Sequence, residues 1–483
     1  MLTFPKGFLW GTATSAYQVE GSTRADGRGE SIWDRFAAQA GHIDDGSSGE
    51  PACDHYRRWA EDIALMKRLG FQTYRFSVAW PRVFPTGAGQ PNGAGLDFYD
   101  RLVDALLAAG IEPLVTLYHW DLPQALQDQG GWSRRETAWR FQELAATVLA
   151  RLGDRVRLWV TVNEPWVAAF LGHLHGEHAP GLRDLATAIR ASHHLLLAHG
   201  LGLQTFRQMN LQGKMGIALD LHAYAPASPS PEDQEAAERV RALESDWFLD
   251  PLFRGSYPPL ALAWYRLKGV EPPVEAGDLE LISQPLDFVG VNYYTRHVIA
   301  HDPAEPWSGL RQVPAPGPVT AMGWEVYPEG LREVLNWVYR TYVEPRTRRG
   351  TTLTGQGTAT GPAPAPSAEP PSPWDAPCPL LVTENGAAYP DELMEQDGEL
   401  RVDDPERIAY LDAHLRAVWA SIQDGTPVAG FYAWSFLDNF EWARGYTRRF
   451  GLVYVDYPTQ RRVPKASAFW YRDVIARGGL EDR

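Results

Sequence analysis

The sequence predicts an α/β fold, a single (β/α)8 TIM barrel with long loops between its strands and the helices that follow them. Eight short apolar runs alternate with longer amphipathic segments, as expected for parallel strands that are buried on both faces. No phosphate-binding glycine motif follows the first run, Phe8–Gly11, although an open doubly wound sheet usually carries one there. These observations favour a closed barrel of eight strands.

The predicted elements alternate regularly along the chain. The segment 55–70 repeats Tyr56, Ile63 and Met66 at helical spacing and ends at a glycine, and the segment 96–110 has the same character. The predicted strands are Phe8–Gly11, Tyr74–Ser77, Pro113–Leu117, Leu158–Val162, Met215–Leu219, Phe288–Val291, Leu380–Thr383 and Gly430–Trp434.

One segment, 351–377, interrupts this alternation because it consists largely of Pro, Gly, Ala, Ser and Thr and cannot build a core. A linker between two domains would have this composition. The last two strands of the same alternation follow it, however, so we expect a surface insertion ahead of strand seven. The prediction is one catalytic domain that spans residues 1–483.

Composition and charge narrow the possible partners and the location. The net charge of −15 argues against nucleic acid or an anionic membrane as the main partner. Two cysteines, Cys53 and Cys378, give no disulfide framework and no zinc motif. The N-terminal residues lack the features of a signal peptide, and no apolar run reaches membrane-spanning length. We therefore expect a cytoplasmic protein.

The aromatic content, with 19 Trp, 20 Tyr and 18 Phe, suits a protein that binds sugars, although core packing explains most such rings. Two glutamates also point to carbohydrate chemistry. Glu164 directly follows the apolar run of strand four, and Glu384 that of strand seven. Two carboxylates that converge from different strands are the minimum for glycoside hydrolysis. Helix capping or ion pairing remains an alternative for both.

Several motifs occur in order along nearly the whole chain: FLWGTATSAYQVEG, YRFSVAWPRVFP, YHWDLPQAL, TVNEP, VNYYT, MGWEVYPEGL, LVTENGA and YAWSFLDNFEW. In these motifs the sequence resembles glycoside hydrolase family 1, the β-glucosidase family. The resemblance implies a (β/α)8 barrel and a double-displacement mechanism that retains the anomeric configuration. It also implies that no cofactor and no metal are required.

The resemblance implies a role for each motif residue. Glu164 in TVNEP is the expected general acid/base and Glu384 in TENG the expected nucleophile, with carboxyl groups about 5–5.5 Å apart. Arg75 is expected beside the nucleophile, and Tyr294 is expected to hydrogen-bond it. The residues expected to bind substrate are Gln18, His119, Asn163, Asn292, Trp324, Trp434, Glu441, Trp442 and Phe450.

The expected substrates are small β-glycosides and short β-linked oligosaccharides that carry a terminal β-D-glucosyl residue, with β-galactosidase and β-fucosidase side activity. A 6-phospho-β-glycosidase is the first alternative. Glu441 opposes it because related phosphate-accepting enzymes carry a serine there and a carboxylate repels phosphate. Arg444, Arg448 and Arg449 are interpreted as surface charges. A catalytically inactive sugar-binding barrel is the second alternative, and intact Glu164 and Glu384 oppose it.

One further cluster could bind a divalent cation. His173, His175, Glu177 and His178 lie close together after strand four. The corresponding segment of the family holds no metal, and we therefore expect none here. The sequence does not predict an oligomeric state.

Overall fold

A computed structural model describes residues 1–314, 316–347 and 372–482. Eight parallel strands form a closed barrel in which β1 pairs with both β2 and β8. The strands are β1 Leu9–Ala13, β2 Thr73–Ser77, β3 Glu112–Tyr118, β4 Leu158–Asn163, β5 Lys214–Asp220, β6 Phe288–Asn292, β7 Leu380–Asn385 and β8 Val428–Trp434. The predicted fold class is confirmed, and each predicted strand overlaps an observed one.

Helices surround this barrel. In the described residues, the α-helices of eight residues or more are His55–Arg68, Gly93–Ala109, Glu136–Leu152, Leu185–Gln208, Pro231–Arg241, Trp247–Arg254, Pro259–Leu267, Pro328–Val338, Pro405–Gln423 and Ala466–Arg477. The helix His55–Arg68 buries Tyr56, Ile63 and Met66 as predicted. The helix Gly93–Ala109 ends at Gly110, whose φ of 78° is the left-handed conformation that commonly ends a helix.

The apolar side chains form two main layers. One fills the barrel interior and includes Leu114 of β3, Val160 of β4, Ala218 of β5 and Phe288 of β6. The other lies between the barrel and the helices. Alternate strand residues supply the two layers because successive side chains of a strand point to opposite faces. The interior is therefore a packed core, and the strands' carboxyl ends remain available for a site.

Several strands extend beyond the predicted apolar runs into polar residues. Asn163 ends β4, Asp220 ends β5 and Asn292 ends β6, whereas the predicted runs stop before each of them. The backbone ladder continues through these residues, because Asp220 and Asn292 remain register partners. The pairing of β5 with β6 therefore extends to their polar ends, whereas the pairing of β4 with β5 shifts register before Asn163.

Short strands outside the barrel shape the loops. Ala223–Pro226, Arg296–His301 and Leu310–Val313 form a three-stranded sheet after β5 and β6. The hairpin strands are Met394–Gln396 with Glu399–Arg401 and Val453–Asp456 with Arg461–Pro464, and Leu2–Thr3 pairs with Gly479–Leu480. None of the helices in the described ranges combines the length and apolar character that crossing a bilayer requires.

Most of the predicted insertion 351–377 lies outside the described residues, which resume at Ser372. Ser372 caps the short helical turn Pro373–Asp375. Trp374 Nε1 in this turn donates a hydrogen bond to the carbonyl oxygen of Gly7 at 3.1 Å. The described end of the segment is therefore fixed to the start of the chain just before β7 begins.

Candidate active site

A cavity of about 350 Å³ lies at the carboxyl ends of the barrel strands. It brings together most of the predicted site residues. Those that line it are His119, Glu164, Tyr294, Trp324, Glu384, Trp434, Glu441, Trp442 and Phe450. Three of the remaining predicted residues, Arg75, Asn163 and Asn292, are fully buried and hydrogen-bond to the wall from beneath.

Glu164 directly follows β4, and its backbone is held in an unusual conformation. Its φ is 45°, a left-handed value that is strained for a residue with a side chain. Its backbone N–H donates to the carbonyl oxygen of Ala218 on β5 at 2.9 Å. Asn292 Nδ2 donates to Glu164 Oε1 at 2.6 Å. The strand-to-loop turn and Asn292 together fix the carboxyl group within the cavity.

Glu384 lies in β7 and has partners on both carboxylate oxygens. Arg75 Nη1 donates to Oε1 at 2.5 Å, and the Tyr294 hydroxyl donates to Oε2 at 2.7 Å. Arg75 also donates from Nη2 to Asn163 Oδ1 at 2.5 Å. Both predicted neighbours of Glu384 are therefore in contact with it, and Arg75 links β7 to β4.

The two glutamates have different electrostatic surroundings. Burial, followed by the negative charges of Asp220 and Glu384, raises the pKa of Glu164 well above the ordinary range. Burial also raises the pKa of Glu384, but the Arg75 charge and the Tyr294 hydroxyl favour its ionised form. The surroundings of Glu384 therefore favour its ionised form more than those of Glu164 do.

Two polar atoms at one side of the cavity lack protein partners. Asn163 Nδ2 lies 3.2 Å from His119 Nε2, while His119 Nδ1 has no hydrogen-bond partner among the described residues. Glu441 Oε2 also has no hydrogen-bond partner among the described residues. This oxygen atom is buried, although the Glu441 residue as a whole is partly exposed. Buried polar atoms are normally hydrogen-bonded, and sugar hydroxyl groups would satisfy both of these.

The charge states of these two residues suit contacts with neutral hydroxyl groups. Burial and the nearby Arg75 charge lower the pKa of His119 well below its usual value, so the ring is neutral. Burial and the charge of Glu384 raise the pKa of Glu441 to about 8. Neither group carries the positive charge that would attract an anionic substrate.

Aromatic rings form the remaining walls. Trp434 and Trp442 each stack with His119, with ring centroids 6.0 Å apart and interplanar angles of 14°. Tyr294, Trp324 and Phe450 form a second cluster with centroid distances of 5.3–6.1 Å. Such flat faces can contact the C–H faces of a sugar ring.

Gln18, the remaining predicted residue, is fully buried and does not line the cavity, and its hydrogen bonds go to residues outside the cavity wall. Its Nε2 donates to Asn439 Oδ1 at 3.1 Å and to the Phe440 carbonyl at 2.9 Å. Its Oε1 accepts from the Ser15 hydroxyl at 2.6 Å. A role for Gln18 in sugar binding stays a prediction, whereas its contacts support the loop that carries Glu441.

Among the cavity-lining residues that the prediction omitted are Trp120, Asp220, His222 and His297. Asp220 is a carboxylate directly after an apolar strand run, the same signal that identified Glu164. Trp120 directly follows His119, and its φ of 76° marks it as strained. His297 comes from the outer sheet, and no sequence pattern placed that sheet beside the barrel.

The structure also changes one earlier interpretation of a charged side chain. Arg449 was expected at the surface, but it pairs with buried Asp438 at 2.6 Å and lies 3.9 Å over the Tyr454 ring. His173, from the possible cation cluster, is buried and its Nδ1 contacts the Ala168 carbonyl at 3.0 Å. In the described part of the chain, no group of three or more His, Cys, Asp or Glu residues is arranged to hold a metal.

Comparisons with known proteins place this site among sugar-cleaving enzymes. The profile described as "Glycosyl hydrolase family 1" matches residues 1–358 and 374–480. The chain is 45% identical to β-glucosidase A of Acetivibrio thermocellus, over 99% of both chains. It is 43% identical to a bifunctional β-D-glucosidase/β-D-fucosidase of Bifidobacterium breve, over 98% of both.

A solved structure agrees with the sequence comparisons. The family 1 β-glucosidase from Thermotoga maritima superimposes with a TM-score of 0.90 at 44% identity, and all of both chains is covered. The profile omits residues 359–373, which lie within the predicted insertion.

Proposed function

Because the chain belongs to glycosyl hydrolase family 1, we propose that it is a retaining exo-β-glycosidase that hydrolyses terminal, non-reducing β-D-glucosyl residues. Membership of the family confirms the resemblance found in the sequence motifs. The observation that carries the proposal is the unequal environment of two buried glutamates in one cavity. Their arrangement suits an acid paired with a nucleophile.

In the first step, a carboxylate oxygen of Glu384 attacks the anomeric carbon of the sugar. The bond to the glycosidic oxygen breaks, and Glu164 gives its proton to this oxygen so that the aglycone leaves as an alcohol. The sugar is then joined to Glu384 as an ester. In the second step, Glu164 takes a proton from water, the water oxygen attacks the anomeric carbon, and Glu384 is released.

Arg75 and Tyr294 assist the nucleophile in this proposal because both donate to its carboxylate. Arg75 favours the ionised form by its charge, and Tyr294 orients the second oxygen. Asn292 positions Glu164, and Asn163 is the proposed partner of the sugar's 2-hydroxyl group. Such contacts strengthen as charge develops on the sugar ring and therefore contribute to rate.

The glycone is proposed to lie against His119, Glu441, Trp434 and Trp442, with Phe450 at its edge. Trp324 is proposed for the aglycone side. Two unpaired polar atoms, His119 Nδ1 and Glu441 Oε2, support binding of a neutral sugar. Side activity on β-galactosides and β-fucosides is part of the proposal, and the B. breve relative's name supports the fucoside. Glu441 supplies no positive charge that could bind a 6-phosphate.

The wider setting is also a proposal. Short β-linked oligosaccharides such as cellobiose are the proposed natural substrates, which would place the enzyme late in cellulose degradation. The proposed location is the cytoplasm, and two buried, unpaired cysteines, Cys53 and Cys378, are consistent with it. We further propose a single catalytic domain, 1–483, with 351–377 as an insertion. Nucleic acid and membrane are not proposed partners.

The test is hydrolysis of the p-nitrophenyl β-D-glucoside, galactoside, fucoside and 6-phosphoglucoside by the wild type and by Glu384→Ala. The wild type should cleave the glucoside, and the variant should lose about 10⁴-fold or more of this activity. Added azide should restore turnover of the variant and give an α-glucosyl azide, because azide attacks from the face that Glu384 vacates.

Other outcomes select the alternatives. Cleavage of only the 6-phosphoglucoside would favour the phospho-β-glycosidase and contradict the interpretation of Glu441. Binding of glucose or cellobiose without any cleavage would favour the inactive sugar-binding barrel.

A further inference from the structure

A third carboxylate, Asp220, lies at the mouth of the barrel beside the two glutamates. It ends β5, two residues after Ala218, whose side chain belongs to the barrel interior. Because alternate residues of a strand point to the same face, the side chain of Asp220 also points inward, above this core. It lines the same cavity as Glu164 and Glu384.

The backbone around Asp220 is tied directly to Glu164. The Glu164 N–H donates to the Ala218 carbonyl on β5 at 2.9 Å. Asn292 is the register partner of Asp220 on β6, and its side chain donates to Glu164 Oε1. The strands that hold Glu164 therefore also fix the position of Asp220 relative to it.

The partner of Asp220 is a histidine, whereas the partner of Glu384 is the permanent cation of Arg75. In the described residues, the side-chain hydrogen bond of Asp220 joins Oδ2 to His222 Nε2 at 3.3 Å. The side chains of Asp220 and His222 are only 10% and 12% exposed. His222 stacks on His297 with ring centroids 4.0 Å apart, and burial lowers the pKa of His297 well below its usual value.

We propose that Asp220 acts through Glu164 as a positioning residue, a fixed negative charge that holds the proton on Glu164 until the leaving group takes it. The inference rests on the proposed function, because it assigns a task within that reaction. After burial, Asp220 is the largest influence that raises the pKa of Glu164, ahead of Glu384. It also raises the pKa of Glu384, where burial and Arg75 weigh more.

The negative charge of Asp220 persists in the glycosyl-enzyme, whereas the charge of Glu384 does not. Glu384 becomes a neutral ester in the glycosyl-enzyme, so its repulsion of the Glu164 carboxylate ends at that point. Asp220 takes no part in the bond and keeps its charge through both steps. The pKa of Glu164 therefore stays above its ordinary range when it must act as a base, which favours return of the proton at the end of the cycle.

His222 moderates the effect. Burial disfavours its charged form, but Asp220, with Glu244 and the Thr295 backbone, more than offsets burial and raises the pKa of His222 above its usual value. A protonated His222 would partly cancel the charge of Asp220 as the pH falls. Arg75 lies beneath the cavity that holds Glu164. The other ionisable side chains that line this cavity are His119, Glu177, His178, Tyr294, His297, Glu384, Glu441 and Arg444.

The test compares kcat/KM against pH for the wild type and Asp220→Asn, with phenyl β-D-glucoside as substrate. Its leaving group is poor and needs the proton of Glu164. Removing the charge lowers the pKa of both glutamates, so both limbs of the profile should move to lower pH, by about one unit on the alkaline side. On the wild-type alkaline limb, kcat/KM should therefore fall about tenfold.

Two further comparisons separate charge from structure. With 2,4-dinitrophenyl β-D-glucoside, whose leaving group needs no proton, the loss in kcat/KM at alkaline pH should be much smaller. Asp220→Glu keeps the charge and should keep the alkaline limb near the wild-type position even if kcat falls. Glu333→Gln removes a carboxylate from the neighbouring cavity and should leave both limbs in place.

The inference would be overturned by an alkaline limb that stays in place while kcat or KM changes equally at all pH values. Movement of the limb in Asp220→Glu or Glu333→Gln would also overturn it. If Asp220→Asn does not fold, Asp220→Ser removes the same charge and replaces it in the test. His222→Gln leaves Asp220 charged, so it must not move the alkaline limb to lower pH. A wild type that cleaves neither glucoside would instead refute the proposed function itself.

Discussion

The two glutamates of the cavity differ in how completely their oxygens are held. Glu384 accepts hydrogen bonds on both oxygens, from Arg75 and Tyr294, whereas Asn292 donates to one oxygen of Glu164. A carboxylate with donors on both oxygens loses its proton readily. A carboxyl group with one free oxygen can keep its proton and donate it. The pattern of partners thus supports the two roles proposed for these glutamates.

Tyr294→Phe should weaken the nucleophile without displacing it. The change removes a hydrogen bond to a charged acceptor, worth about 1.5–3 kcal/mol, so kcat/KM should fall about 10- to 100-fold. The pKa of Glu384 should rise, because the hydroxyl favours the ionised form. The acid limb of the profile of kcat/KM against pH should therefore move to higher pH. An unmoved acid limb would show that Tyr294 acts only as a wall residue.

Several site residues could be predicted from sequence because they lie in motifs at the ends of apolar runs. The same rule applied to Asp220 would have found it, since it follows the run MGIAL directly. His297 could not be found in this way because it reaches the cavity from an outer strand, Arg296–His301. Arg449 was misjudged because a sequence does not reveal that buried Asp438 lies opposite it.

At the level of elements, the ends of the barrel strands carry the candidate site residues, whereas the strand centres form the core. The apolar centres were predicted from the sequence, since burial on both faces selects apolar residues. The extension of the strands into polar residues was not predicted, because a polar residue after an apolar run also suggests the start of a loop. At the end of β7, Gly386 lies where an added Cβ would be 1.8 Å from the Trp434 carbonyl oxygen of β8. This glycine allows the strand that carries Glu384 to approach the tryptophan of the cavity wall.

Gly386→Ala should therefore separate the ends of β7 and β8. The clash is with backbone, which cannot rotate away, so we expect a loss of about 1–3 kcal/mol in the free energy of unfolding. The kcat/KM for the glucoside should fall as well, since Glu384 and Trp434 both move. Gly93→Ala is the matched control, because a Cβ there meets open space within a helix. Chemical denaturation of both variants measures the difference, and equal stabilities would contradict the close approach.

At the scale of the whole molecule, the barrel concentrates buried acids at one end and this has a cost in stability. Glu441 has an ordinary pKa near 4.5, which the folded protein raises to about 8. Between these values the folded state binds more protons than the unfolded state, so the free energy of unfolding falls as the pH rises through this window. The contribution is fully present below the lower value and is lost by the upper one.

Glu441→Gln should remove this pH dependence together with most of the activity. The Tm of the variant relative to the wild type should increase from about pH 5 to about pH 8, by an amount that corresponds to a few kcal/mol. Glu177→Gln, a change at an exposed carboxylate that pairs with Arg444, serves as the control and should show no such trend. A constant difference in Tm across this range would contradict a raised pKa for Glu441.

The closure of the barrel also determines when the site can first exist during synthesis. β1 pairs with β8, and the residues expected to bind the sugar extend to Phe450. A nascent chain on the ribosome therefore exposes the open edge of β1 until almost the entire sequence has been translated. A translation product that ends before β8 cannot carry both glutamates in a closed barrel, so enzymatic activity should appear only after β8 has been translated. Molecular chaperones would meet this edge strand on every chain that is being made.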